Sequence, residues 1–166
     1  MSTDAIVLLK QQHKEIKKLF RDFQATDAKA MNRRGDVVRQ MLEALTVHTY
    51  LENEVMYPEV RQLLPDLEEN VLEAYEEHHV ADVLCFELAT MRPEDEHFEA
   101  KVTVLADVIT NHIDEEEHGW FPKVREKLGR KQLQEMGARM AELEPKAPRK
   151  PTEPKALKTA LMAMRA

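Results

Sequence analysis

Two five-residue strings in this 166-residue chain have the residue types and spacing for metal chemistry. One is His48-Thr49-Tyr50-Leu51-Glu52, followed by Tyr57-Pro58; the other is His112-Ile113-Asp114-Glu115-Glu116, followed by Phe121-Pro122. Both read His-x3-Glu-x4-aromatic-Pro. Residues four apart on a helix share a face and lie about 6 Å apart along its axis, so an imidazole and a carboxylate can reach one ion. Neutral imidazole suits iron, and a carboxylate can bridge two ions and offset their charge. With 31 acids in 166 residues, a histidine meets an acid four positions on about one time in five, so a single copy carries little. The pattern extends further upstream. His13 stands 35 residues before His48, His78 stands 34 before His112, and Gln11-Gln12-His13 matches Glu76-Glu77-His78. A helix pair has been duplicated, giving four imidazoles and two carboxylates in all.

Helices must position these groups. The chain has only 4 glycines and is rich in Leu, Ala, Glu, Lys and Met, a composition that favours helix. Ile6, Leu9, His13, Ile16, Phe20 and Phe23 recur at steps of three and four, after N-cap candidates Ser2, Thr3 and Asp4. A second helix is expected over about 34–64, ended by Pro65, a third from about 66 to before Pro93, and a fourth over about 96–128, ended by Gly129. A short helix over 130–143 follows. No segment alternates as a strand does. The expected class is all-α: an antiparallel up-down four-helix bundle over 1–128, an accessory helix over 129–144 and a basic tail over 145–166. Pro58 and Pro122 should kink or end their helices.

Helical wheels turn the six groups inward. His13 falls among Ile6, Leu9 and Phe20, His48 and Glu52 among Met41, Leu45 and Val55, and His112 and Glu116 in the sector of Leu105, Val108 and Ile109. Burying such groups without partners is costly, and metal ions compensate. On the third helix His78 points into the sector of Leu67, Val71, Ala74, Cys85 and Ala89, while His79 falls about 100° away at its edge. The repeat alignment also favours His78. Tyr75 and Asp82 share that sector and are candidates for a further oxygen ligand; Tyr75 is otherwise a packed aromatic. The strings Glu76-x-x-His79 and Glu115-x-x-His118 match the Glu-x-x-His of ferritin-like sites, but Glu76 lies opposite the apolar sector and His118 points away from the Leu105 stripe. His97 is expected in a loop, without a role.

Over residues 4–128 this layout resembles the hemerythrin-like, or HHE cation-binding, family. The resemblance implies a four-helix bundle around two non-haem iron ions, with His13, His48, Glu52, His78, His112 and Glu116 as ligands and both glutamates bridging. The imidazoles and carboxylates alone would accept manganese or zinc as well. Oxygen-carrying hemerythrins are similar but use a fifth histidine on the third helix. Here Asp82 stands four residues after His78 and Ala74 four before it. The pattern is nearer to bacterial hemerythrin-like proteins that handle peroxide, nitric oxide or iron. It implies a redox enzyme decomposing hydrogen peroxide in a catalase-like way, or a module that binds O2, nitric oxide or iron.

Composition sets the surroundings. The net charge of −7 argues against nucleic acid binding by the whole chain. Six basic residues (Lys146, Arg149, Lys150, Lys155, Lys158, Arg165) against Glu153, with half of the eight prolines, make 145–166 a basic appendage. It is expected to be flexible and solvated, with no nucleic-acid contact assigned, although Leu157, Leu161, Met162 and Met164 could form a small amphipathic helix. One cysteine, Cys85, suits a reducing compartment. No secretory signal or membrane span is visible, so a cytoplasmic location is expected.

Overall fold

The computed structural model describes the backbone of residues 3–163 and the side chains of residues 3–159. All regular structure among them is helical. Helix α1 (Ala5–Gln24) starts where the Asp4 carboxylate accepts a hydrogen bond from the Val7 amide at 2.9 Å. Its buried face is Ile6, Leu9, His13, Ile16, Leu19, Phe20 and Phe23, as the periodicity requires. Helix α2 (Met31–Leu51) continues through a π-helical turn (Glu52–Met56) into α3 (Tyr57–Leu63). Pro65 opens a 3-10 turn, and α4 (Glu68–Thr90) follows. Helix α5 (Phe98–Asp114) likewise passes through a π turn (Glu115–Trp120) into α6 (Phe121–Lys127).

The prolines therefore act differently from a plain kink or stop. Proline lacks the N–H that a regular helix needs and its ring crowds the carbonyl one turn back. Each rod meets this by widening just before its proline. The Tyr57 amide bonds to the Glu52 carbonyl, and the Phe121 amide to the Glu116 carbonyl, five residues back in both cases. The duplicated motif thus encodes a duplicated π turn that begins at or beside its glutamate.

Two apolar clusters fill the bundle. One holds Leu9, Met56, Tyr57, Tyr75, Trp120 and Phe121; the other holds Ile16, Met41, Leu45, Cys85, Leu105 and Ile109. Along each long helix the predicted site residues fall near where one cluster gives way to the other, so the polar groups form a layer with apolar packing on both sides. Helix α7 (Arg130–Leu143) caps the first cluster with Leu133, Met136 and Met140. It approaches α1 so closely that a Cβ on Gly137 would overlap the Thr3 carbonyl and sit 2.9 Å from the Ala5 nitrogen. Gly137→Ala should therefore force two backbones apart and cost about 1–3 kcal/mol, the usual range for overpacking. Thermal unfolding followed by circular dichroism reads this as a fall of several degrees; an unchanged midpoint would show that α7 yields freely.

The segment expected to hang free instead folds back, as far as it is described. After a 3-10 turn (Glu144–Lys146), Ala147 is buried against Val47, Tyr50 and Leu51, and α8 (Pro154–Ala163) lies against α2 and α4. The reason lies in α2, whose outer face carries Val47 and Tyr50, apolar groups that need cover. Charge helps: Arg149 pairs with Glu43 at 3.5 Å, and the Thr159 hydroxyl donates to Glu54 at 3.3 Å. Of the expected amphipathic residues, Leu157 is partly exposed, and the side chains of Leu161 and Met162, and Met164 altogether, lie outside the described residues. Among the described residues no helix is long and apolar enough to cross a membrane.

Candidate metal centre

All six predicted side chains converge. His13, His48, His78 and His112 are at most 2 % exposed, and Glu52 and Glu116 are fully buried. Donor atoms of His13, His48, Glu52 and Glu116 lie within 4.8 Å of one another, as do those of Glu52, His78 and His112. Two groups able to hold a cation thus share Glu52. Glu116 also reaches both: its Oε2 is 3.2 Å from His13 Nε2 and its Oε1 is 3.5 Å from His112 Nε2. Glu52 Oε2 stands 3.2 Å from His48 Nε2 and 3.1 Å from His78 Nε2.

Each ring presents Nε2 to the centre because its Nδ1 is held from outside. The Nδ1–H of His13 donates to Glu117 at 2.8 Å, that of His48 to Gln12 at 2.9 Å and that of His78 to Asn53 at 2.9 Å; His112 donates to Glu77. The acceptors follow the repeat. Gln12 and Glu77 each precede a site histidine, and Asn53 and Glu117 each follow a site glutamate. Such outer partners fix the tautomer and raise the basicity of the ligating nitrogen. The sequence contained this signal in the Gln12 and Glu77 alignment, but wheel reasoning stopped at the inward face.

The electrostatics of the layer are unbalanced without a cation. Burial pushes the Glu116 carboxyl up to about 8, and the neighbouring Glu52 carboxylate adds to the rise. Burial also opposes ionisation of Glu52, yet His48, His112 and His78 hold it well below the usual carboxylate range. His78 is pushed down to about 4 by burial, and His13 is lowered for the same reason. His112 is held well above the usual imidazole value: burial works against this, but Glu116, Glu52 and Glu77 outweigh it. Among the described residues, four buried atoms, His13 Nε2, His48 Nε2, Glu52 Oε1 and Glu116 Oε2, lack a hydrogen-bond partner. They belong to the four residues of the first group, and a cation there satisfies such atoms, so the residues present fit a metal.

The sequence reading missed one central residue. The Tyr57 hydroxyl donates to Glu116 Oε1 at 2.7 Å and lies 3.2 Å from Glu52 Oε2, 3.0 Å from His78 Nε2 and 3.5 Å from His112 Nε2. On a regular helix a residue five positions after Glu52 lies about 140° away, which is why a wheel rejects it. The π turn brings it back over the glutamate. Its counterpart in the other half, Phe121, stacks on His13 with ring centroids 6.1 Å apart. Tyr75, a candidate oxygen ligand or otherwise a packed aromatic, stands behind Tyr57 as the latter, edge-on at 5.0 Å.

The remaining candidates lie outside the cluster. His79 is half-buried at the surface, whereas His78 is enclosed. Asp82 faces a cavity of about 30 Å³ beneath α8, where burial pushes it up to about 7. Glu76, His97, Glu115 and His118 are exposed, so the ferritin-like pairing is not formed.

A curated relative, a DNA nickase from Nostoc sp. (strain PCC 7120 / SAG 25.82 / UTEX 2576), is 26% identical over 129 residues, which are 77% of this chain and 35% of the relative. The chain thus spans about a third of that protein's length. Among solved structures, the crystal structure of a Hemerythrin HHE cation binding domain-containing protein, the Rv2633c homolog from Mycobacterium kansasii, superposes with a TM-score of 0.73. It is 22% identical and covers 99% of this chain and 93% of its own, a likeness of fold. The sequence profile of the Hemerythrin HHE cation binding domain matches residues 4–124, and with the buried His/Glu layer formed by those same residues, the chain belongs to that family.

Proposed function

We propose that this chain is a di-iron protein that decomposes hydrogen peroxide to water and O2. His13 and His48 would hold one ion and His78 and His112 the other, with Glu52 and Glu116 reaching both. The observation that carries the reading is the Tyr57 phenol, hydrogen-bonded among donors of the second group where a further imidazole would make the set richer in nitrogen. Anionic oxygen donors favour the ferric state, whereas reversible O2 binding needs a lasting ferrous one. Burial of every donor excludes bulky substrates and leaves small diffusible molecules as partners.

Bound iron supplies reversible one-electron couples, so a pair can exchange two electrons with peroxide. The protein's own part is to hold that pair with Glu52 and Glu116, to orient the imidazoles through Gln12, Asn53, Glu77 and Glu117, and to place the Tyr57 oxygen beside Glu116 Oε1. An oxygen electrode tests the proposal: iron-loaded protein should release O2 from hydrogen peroxide well above a His112→Ala control. Release no greater than the control, together with a reversible O2 spectrum in the reduced protein, would establish a binding module instead.

A further inference from the structure

The readily oxidised rings are unevenly placed around the centre. The chain has one Trp and three Tyr. Trp120, Tyr57 and Tyr75 all lie in the apolar cluster on the α7 side, while the aromatic rings of the opposite cluster are all Phe. Tyr50 lies apart, under the tail. Tyr57 joins the other two rings: its hydroxyl hydrogen-bonds into the metal layer, and its ring meets Tyr75 at 5.0 Å and Trp120 at 5.8 Å. Tyr75 is the outermost, 6 % exposed and within the electrostatic reach of Arg61 and Glu54. Filling space does not require these residues, since Phe20, Phe23 and Phe98 do so on the other side. Phenol and indole give up one electron far more readily than phenyl or alkyl groups do, and rings in edge contact exchange electrons rapidly.

We propose that Tyr57, Tyr75 and Trp120 form an electron relay that gives the protein a peroxidase activity, carrying electrons from a small surface donor such as ascorbate to the metal centre. This rests on the peroxide reading above. Peroxide accepts two electrons and two protons and leaves as two water molecules. The electrons cross singly. Tyr57, a phenolate once iron is bound, gives one electron inward. Tyr75 then returns the Tyr57 radical to phenolate with one electron and releases its own phenolic proton to solvent. Ascorbate restores Tyr75 with one electron and one proton. Two passes oxidise two ascorbates to their radicals, and the two protons released match those the peroxide consumes. Trp120, buried beside Tyr57, is a second arm that holds the oxidising equivalent when no donor is present.

The test uses the full iron-loaded chain, with metal content measured for every variant. Mixing with hydrogen peroxide and rapid freezing should give a protein radical in the electron paramagnetic resonance spectrum, and added ascorbate should be oxidised. Tyr75→Phe should lower ascorbate oxidation about tenfold or more, a loss of the order of 1.4 kcal/mol in barrier terms, and move the radical to Trp120. Tyr75→Phe combined with Trp120→Phe should confine the radical to Tyr57. Both variants leave Tyr57 in place, so the relay is cut even where Tyr57→Phe loses iron. Tyr50→Phe should behave as the unaltered protein. If the unaltered protein consumes peroxide without a protein radical, or if the double variant oxidises ascorbate at the unaltered rate, the relay is overturned and the peroxide reading stands. If the iron-loaded protein consumes no peroxide at all, both fall.

Discussion

Replacing His112 with alanine should cut the iron content from about two ions per chain to one or fewer, with a matching loss of thermal stability. The His112 ring joins the second group and lies 3.5 Å from Glu116 Oε1, so its removal breaks that group and unsettles a carboxylate shared with the first. A metal present at a hundred times its dissociation constant adds about 2.7 kcal/mol to a fold that alone binds it, and the variant forfeits much of this. Alanine at His97 or His118, both exposed, should change neither quantity. Proton release provides a second readout. In the metal-free protein Glu116 is pushed up to about 8 and His112 is also raised, so both hold protons at pH 7 that a cation must displace. Metal titration in weak buffer should release protons at pH 7, and affinity should rise with pH up to about 8. The sign for folding is opposite. Glu116 binds its proton more tightly in the folded chain, so its contribution to metal-free stability is present at low pH and lost as pH rises through about 8. Equal metal loss from the His97, His112 and His118 variants would remove the assignment of the second group.

The sequence made the inward residues legible because they obey a period. His13, His48, Glu52, His78, His112 and Glu116 lie on apolar stripes with a 3.6-residue repeat, and the structure brings those six together. His78 was separable from its neighbour His79 by the same periodicity and by the repeat. What escaped was whatever depends on a departure from that period. Tyr57 reaches the centre only because the π turn ahead of Pro58 rotates the chain, and the same tyrosine–proline step had registered merely as a repeat signature. A regular wheel instead offers Tyr75 as a candidate or a packed aromatic on that face, and it packs there, one ring further out. The tail was misjudged for another reason. Its proline and lysine content describes a segment that cannot form a core alone, but says nothing of a face left uncovered elsewhere. Val47 and Tyr50 on the outer side of α2 were the counterpart to find, and they lay a hundred residues away. The outer hydrogen-bond partners were readable in principle, since Gln12 and Glu77 occupy equivalent positions in the two halves.

Tyr57→Phe should have the largest effect on the colour and reactivity of the loaded protein. The duplicated halves differ at this position: Tyr57 offers a hydroxyl to the second group, while Phe121 offers the first only a ring stacked on His13. In the metal-free chain burial pushes the Tyr57 phenol far above its ordinary value, and the Glu116 and Glu52 carboxylates add to this, so the proton stays on oxygen. Bound iron would reverse the balance, neutralising both carboxylates and favouring the phenolate, which would then be a strong donor and a source of visible charge-transfer absorption. The ferric protein should therefore show a visible band that Tyr57→Phe abolishes and Tyr75→Phe retains, because only the first of these phenols lies within hydrogen-bond distance of Glu116 Oε1. The phenylalanine variant keeps the ring contacts with Tyr75 and Trp120, so packing loss should be small and a change in function can be read as the loss of the hydroxyl. Without that anionic oxygen the ferrous state gains stability relative to the ferric. Peroxide decomposition should fall by about ten- to a hundredfold, the range typical when a group that tunes a metal centre is removed, and the reduced variant should bind O2 for longer than the unaltered protein. Optical spectra of the three ferric proteins, matched for iron content, decide the matter: a band that survives Tyr57→Phe and disappears in Tyr75→Phe would return the ligand role to Tyr75 and require the α4 helix to turn when metal binds.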